Sequence, residues 1–225
     1  SMPNALGELI ARSDLKDLGM HTELCSDAYL SMYRAGKLTN RKKSIDRGKG
    51  VFGCALGSVE LYEWLDDNHG VAAYPLEYVN RPSVIAQIDN MVSINSCVAV
   101  DLYGQVAAES AGARQISGTG GQLDFLIGAS ASRGGKAFIC MSSVHTDRYG
   151  EKHSRIKPQF DGDIVTSPRS QVYFLATEYG VINLEGRSTW ERAEALISIA
   201  HPDFREMLVR EAEKKKIWRR SNRRG

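Results

Sequence analysis

Twice within the first 70 residues a short apolar run breaks at small or polar residues and passes straight into an amphipathic helical pattern. Leu18 to Leu24 gives way at Ser26-Asp27 to Tyr29, Leu30, Met32 and Tyr33, a run that stops at Gly36. Val51 to Ala55 then leads through Gly57-Ser58 into Val59, Leu61, Tyr62, Trp64 and Leu65. This strand-to-helix alternation, with the mixed strands and helices that follow, predicts an α/β fold, a mixed sheet with helices packed on it. Other elements follow from the same patterns. Pro3 opens a first helix carrying Leu6, Leu9 and Ile10, and Val71 to Val79 reads as a strand with Pro75 at an edge or bulge. Arg81-Pro82 opens a short helix. Met91 to Leu102 reads as one strand with Ile94, Ser96, Val98 and Val100 on one face, returning as a hairpin through Gln105 to Ala108. Phe138 to Met141, Ile164 to Thr166 and Tyr173 to Thr177 are further strands, and Leu123 to Ala129, Thr189 to Ala200 and Pro202 to Trp218 are helices. One domain over residues 1–225 accommodates them, with residues 219–225 as a basic tail.

With 225 residues, 42% hydrophobic and 25% charged, the chain can bury a core without staples, which excludes disordered, fibrous and disulfide-scaffold classes. Cys25, Cys54, Cys97 and Cys140 form no C-x-x-C pair, in keeping with a reduced, cytoplasmic setting. No apolar run reaches the length of a membrane span, so no membrane is expected as a partner. The net charge of +2 is uneven: over residues 210–225 eight Lys/Arg against Glu211 and Glu213 give +6, leaving −4 for the rest. A solvated last helix explains that end better than a nucleic-acid arm, and no nucleic-acid partner is expected. The start at Ser1-Met2-Pro3-Asn4, with no lead-in before the helical pattern, reads as cut from something longer.

Three motifs carry chemical content. Ser117-Gly118-Thr119-Gly120-Gly121-Gln122 can present several backbone amides to an anion, or can be a tight turn; it is neither a P-loop nor a dinucleotide fingerprint. His21-Thr22-Glu23 sets a carboxylate near the helix start at Ser26, where the helix dipole favours the ionised form. An ionised Glu can attack an acyl group, although taken alone a Glu in this position is more often just a helix-start charge. Glu109 and Glu178 also lie at strand ends beside small residues, and three such carboxylates suggest one shared site. The five histidines form no metal-ligand spacing, so no metal is expected, and no Gly-x-Ser-x-Gly elbow supports serine chemistry.

Taken together, His21 to Glu23, Asn90 to Glu109, Ser117 to Phe125, Thr177 to Gly180 and Ala200-His201-Pro202-Asp203-Phe204-Arg205-Glu206 resemble the acetyl-CoA hydrolase/transferase family, on its 4-hydroxybutyrate and butyryl-CoA:acetate CoA-transferase branch. Pro3-Asn4-Ala5 resembles the end of a family glycine-rich segment. The resemblance covers the C-terminal half of a usual member and implies a CoA-transferase type C-terminal catalytic domain whose N-terminal domain is a partner outside this chain. It implies Glu23 as a nucleophile that forms a glutamyl-CoA thioester, with Glu178 orienting it or holding a proton. It further implies CoA contacts at Met2, Pro3, Asn4, Asn95 and Val98, and oxyanion stabilisation by the amides of Gly118, Gly120 and Gly121. The substrates would be an acyl-CoA and a short-chain carboxylate of the 4-hydroxybutyrate, butyrate or acetate type, with coenzyme A carried as substrate and the enzyme a homo-oligomer. An acyl-CoA hydrolase, or a CoA-binding half-molecule inactive until joined to its N-terminal domain, stays open.

Overall fold

The structure, a computed structural model, describes residues 2–217; the Met2 side chain and the basic tail at 219–225 lie outside the described residues. The chain divides into two compact units, residues 1–91 with 128–135, and residues 92–127 with 136–225.

In the first unit α1 (Met2–Arg12) precedes β1 (His21–Cys25), α2 (Asp27–Arg34), β2 (Gly50–Ala55), α3 (Val59–Leu65), β3 (Val71–Ala73), α4 (Leu76–Val79) and α5 (Pro82–Ile85). The strands form a parallel sheet in the order β1-β2-β3, with Leu24 opposite Cys54. Met20, Cys25, Leu30, Met32, Leu38, Phe52 and Leu61 form its core. Both strand-to-helix junctions predicted from the sequence are present, and they are tied together. Asp27 accepts from the Ser58 amide (3.1 Å) and hydroxyl (2.7 Å), and that hydroxyl in turn caps α3 by accepting from the Leu61 amide. Ser26 is in the N-cap position of α2 but makes no side-chain cap bond. The loop before β2 is pinned by buried Lys43, whose ammonium donates to the carbonyls of Met20 (3.0 Å) and Lys49 (2.7 Å). Burial pushes that ammonium down to about 8. α1 crosses α2 at Gly7, where an added Cβ would lie 2.5 Å from the Ala28 Cα. The strand expected over Val71 to Val79 ends at Ala73, because Pro75 cannot donate to a ladder and instead occupies the N-cap of α4. The turn after the next long helix closes this unit: Asn90 N donates to Arg133 O at 2.8 Å, and Arg133 pairs with Asp89.

The second unit contains β4 (Val92–Ser96), β5 (Ala99–Asp101), β6 (Val106–Ala107), β7 (Ser110–Ala111), β8 (Arg114–Gln115), α6 (Gln122–Ala131, whose last turn belongs to the first unit), β9 (Lys136–Cys140), β10 (Val144–Thr146), β11 (Lys152–Ser154), β12 (Ile156–Lys157), β13 (Phe174–Thr177), β14 (Gly180–Asn183), α7 (Thr189–Ser198) and α8 (Pro202–Lys214). Its largest sheet is mixed, ordered β14-β13-β9-β4, with β4, β9 and β13 parallel and β14 antiparallel at the edge. The α/β class with a mixed sheet and packed helices is therefore observed. The single strand expected over Met91 to Leu102 is two, because the chain leaves the four-stranded sheet at Cys97-Val98 and enters a small sheet ordered β12-β5-β6. The face alternation does not carry across that break: Ile94 and Ser96 are exposed, whereas Val100 is fully buried. Ile164 to Thr166 form no strand; Thr166 and Ser167 amides donate to the Val106 carbonyl from irregular backbone. Among the described residues no helix is long and apolar enough to cross a membrane.

The Gly7 crossing gives a direct stability test. Gly7→Ala forces α1 off the Ala28 backbone and should cost about 1–3 kcal/mol in urea unfolding despite the better helix propensity of alanine; an unchanged midpoint would contradict the close approach.

Candidate active site

Glu23 lies in the middle of β1, half-buried, with Leu24 exposed and Cys25 buried beyond it. Its carboxylate is held by a residue that the sequence reading missed. Asn80, at the C-cap of α4, donates from Nδ2 to Glu23 Oε2 at 2.9 Å, while its Oδ1 is buried with no hydrogen-bond partner. The amide cannot turn round, since that would press Oδ1 against a carboxylate. Adjacent contacts fix the same edge: His21 Nε2 bonds the Val79 carbonyl at 2.8 Å and the Tyr78 hydroxyl donates to Asp46 at 2.9 Å. Burial pulls the His21 imidazole below its ordinary value, partly offset by that carbonyl, so it is neutral at neutral pH and donates through Nε2. The Cys54 thiol, on the neighbouring strand, lies 3.4 Å from the Glu23 carbonyl. Asn80 was hidden because the Val71–Val79 segment reads as continuous strand; the Pro75 break, followed by Asn80-Arg81-Pro82, is the signal that could have exposed it.

The other predicted residues fall as follows. Pro3 and Asn4 are in the first turn of α1, Pro3 exposed and Asn4 partly buried with Oδ1 lacking a partner. Both belong to the same unit as Glu23. The second unit contains Asn95, Val98, Glu109, Gly118, Gly120, Gly121 and Glu178. Three of its parallel strands deliver residues at their C-terminal ends, where ligands of open α/β sheets bind. Asn95 is on β4, Ser143 follows β9, and Glu178 follows β13 in the tight hairpin to β14. Glu178 is exposed, and Ser143, fully buried, grips both of its oxygens: the Ser143 amide donates to Oε2 (2.8 Å) and the hydroxyl to Oε1 (2.6 Å). Slight burial pushes the Glu178 carboxyl up, but the Ser143 hydroxyl and amide outweigh it, with help from the His201 side, and hold it below the ordinary range. The Ala200–Glu206 motif has a matching role, because His201 caps α8 through the Asp203 amide (3.3 Å), lies edge-on to Tyr179 (5.6 Å), and is followed by Arg205 over the same ring (5.6 Å).

The glycine segment is an exposed loop that ends at buried Gly121, the residue before the ten-residue helix α6. Gly120 adopts φ +56°, a conformation that glycine takes without strain. The amides of Gly118 and Gly120 donate to no backbone carbonyl among the described residues. A loop of this shape at a helix N-terminus is suited to an anion or a developing oxyanion.

Residues 57–212 match the family model of the acetyl-CoA hydrolase/transferase C-terminal domain, and the chain belongs to that family. It is similar to a probable butyrate:acetyl-CoA coenzyme A-transferase of Syntrophomonas wolfei (58% identity over 99% of this chain and 50% of that protein). It is also similar to the butyryl-CoA:acetate CoA-transferase of Anaerostipes caccae (53% identity, 98% and 50%). Among solved structures it is similar to RipA from Yersinia pestis, with 41% identity, a TM-score of 0.89, and coverage of 96% of this chain and 48% of that one. The chain thus spans about half the length of the curated relatives it matches.

The Ser143 grip predicts a titration. Because the folded Glu178 carboxyl is held low, the pair stabilises the fold above the ordinary glutamate value of about 4.3 and loses that contribution as pH falls through the folded value. Ser143→Ala should move the Glu178 Cδ chemical-shift titration upward in NMR; an unmoved midpoint would show that the hydroxyl contributes nothing.

Proposed function

We propose that this chain is the catalytic C-terminal half of a CoA-transferase that exchanges CoA between a short-chain acyl-CoA and a short-chain carboxylate, with Glu23 as nucleophile. The observation that carries the reading is the 2.9 Å bond from Asn80 Nδ2 to Glu23 Oε2, in a chain whose similar relatives are named butyrate and butyryl-CoA transferases. It gives Oε2 a fixed neutral donor, and the attack is assigned to Oε1.

The chemistry follows from the bonds made and broken. Glu23 Oε1 attacks the thioester carbonyl, and the C–S bond breaks to give a mixed anhydride and CoA thiolate. The thiolate attacks Cδ of Glu23, the anhydride C–O bond breaks, and the donor leaves as a free carboxylate with glutamyl-CoA thioester on the enzyme. An acceptor carboxylate reverses both steps. When the thiolate adds at Cδ, negative charge develops on the oxygen that faces Asn80, so Asn80 serves as an oxyanion donor on the enzyme side. On the substrate side the amides of Gly118, Gly120 and Gly121 at the start of α6 fit the same task. Glu178, kept ionised at neutral pH by Ser143, fits an orienting charge better than a proton store. Asn4, Pro3, Asn95 and Val98 remain the proposed CoA contacts. Acyl-CoA substrates put such an enzyme in the cytoplasm.

Intact-mass analysis with peptide mapping after acetyl-CoA treatment tests the nucleophile, on the chain alone and joined to the half of its relatives that it does not span. The joined enzyme should carry a CoA adduct on the Glu23 peptide, absent in Glu23→Ala; bound CoA without an adduct would overturn the assignment. Asn80→Ala should lower kcat by about 100-fold, the usual cost of one oxyanion donor, with little change in KM.

A further inference from the structure

Glu109 belongs to no step of that mechanism, yet its carboxyl group is buried. It is 5% exposed and its Oε2 is buried with no hydrogen-bond partner. Its backbone is fixed from both sides. The amides of Ala108 and Glu109 donate to Thr166 Oγ1 (2.9 and 3.3 Å), and the Glu109 carbonyl accepts from Ile116 (2.8 Å) and Ser117 (3.2 Å), the residues at which the glycine loop begins. A buried carboxyl oxygen with nothing to bond opposes folding, and an apolar residue of similar size would be the more stable occupant. Groups of this kind are retained where a ligand supplies the missing partner.

The missing partner must be an N–H or O–H donor. Acetyl and butyryl groups carry none, acetate and butyrate carry none at neutral pH, and the hydroxyl of a 4-hydroxybutyryl group is present on one substrate type only. The pantetheine arm of CoA carries two amide N–H groups next to the thioester that the glycine loop is proposed to receive. We propose that Glu109 is a binding residue whose unpaired oxygen accepts a hydrogen bond from a pantetheine amide of acyl-CoA, an inference that rests on the acyl-CoA reading above.

Steady-state kinetics and thermal unfolding of the joined enzyme test this. Glu109→Leu should raise KM for acetyl-CoA at least tenfold, leave kcat within about threefold, and raise Tm in the absence of CoA, a combination that a merely structural residue would not give. An unchanged KM overturns the proposal whatever happens to Tm. Should the leucine variant fail to fold, Glu109→Asp decides: it keeps the carboxyl but shortens its reach, so KM should rise at least fivefold, and an unchanged KM again overturns the proposal. A wild-type enzyme that does not saturate with acetyl-CoA would instead reject the acyl-CoA reading itself.

Discussion

The bond between Asn80 and Glu23 ties the end of α4 to the middle of β1. In the proposed role of Glu23 as nucleophile, the carboxylate must be held without being neutralised, and a neutral amide donor does this where a lysine or arginine would quench it. Holding it needs two elements in register. Parallel pairing of β1 with β2 sets the height of Glu23, and the Pro75 break turns the chain into α4 so that Asn80 arrives beside β1. The neighbouring contacts, His21 to Val79 and Tyr78 to Asp46, keep this segment from sliding.

The second unit shows the same economy with a different device. Glu178 sits in a hairpin turn that would leave a carboxylate free to swing, and one buried serine stops it by donating from both its amide and its hydroxyl. The strands that end at Ser96, Cys140 and Thr177 are parallel, so their C-terminal loops emerge at one edge of that sheet, with β14 as an antiparallel edge strand beside them. Glu109 marks where the glycine loop departs, and its unsatisfied oxygen is the kind of local defect that binding sites retain.

What could be read from the sequence divides along physical lines. The two strand-to-helix junctions were legible because an apolar run followed by a Ser/Asp or Gly-Ser break is a local signal, and both occur where expected. Glu23, Glu178 and the glycine loop were legible as motifs with chemical content, and family membership followed from their order along the chain. Asn80 was not, because its role depends on a residue 57 positions away and on a turn that Pro75 makes inside an otherwise strand-like run. Ser143 was hidden for the same reason, its partner lying 35 positions on. The break at Cys97-Val98 escaped because β-branched residues continue through it, although the chain there passes from one sheet to another.

The account stands on Glu23 exchanging oxygen with its substrates, and isotope transfer reads that directly. In turnover of butyryl-CoA with acetate labelled in both oxygens with oxygen-18, the acceptor binds to the glutamyl carbon through one labelled oxygen, and that atom stays behind when acetyl-CoA departs. The peptide containing Glu23 should then gain the mass of one oxygen-18 substitution after a single turnover of the joined enzyme, and no other peptide should gain it. Formation of acetyl-CoA with no label on that peptide would contradict the account, since CoA would then be passing between substrates without Glu23.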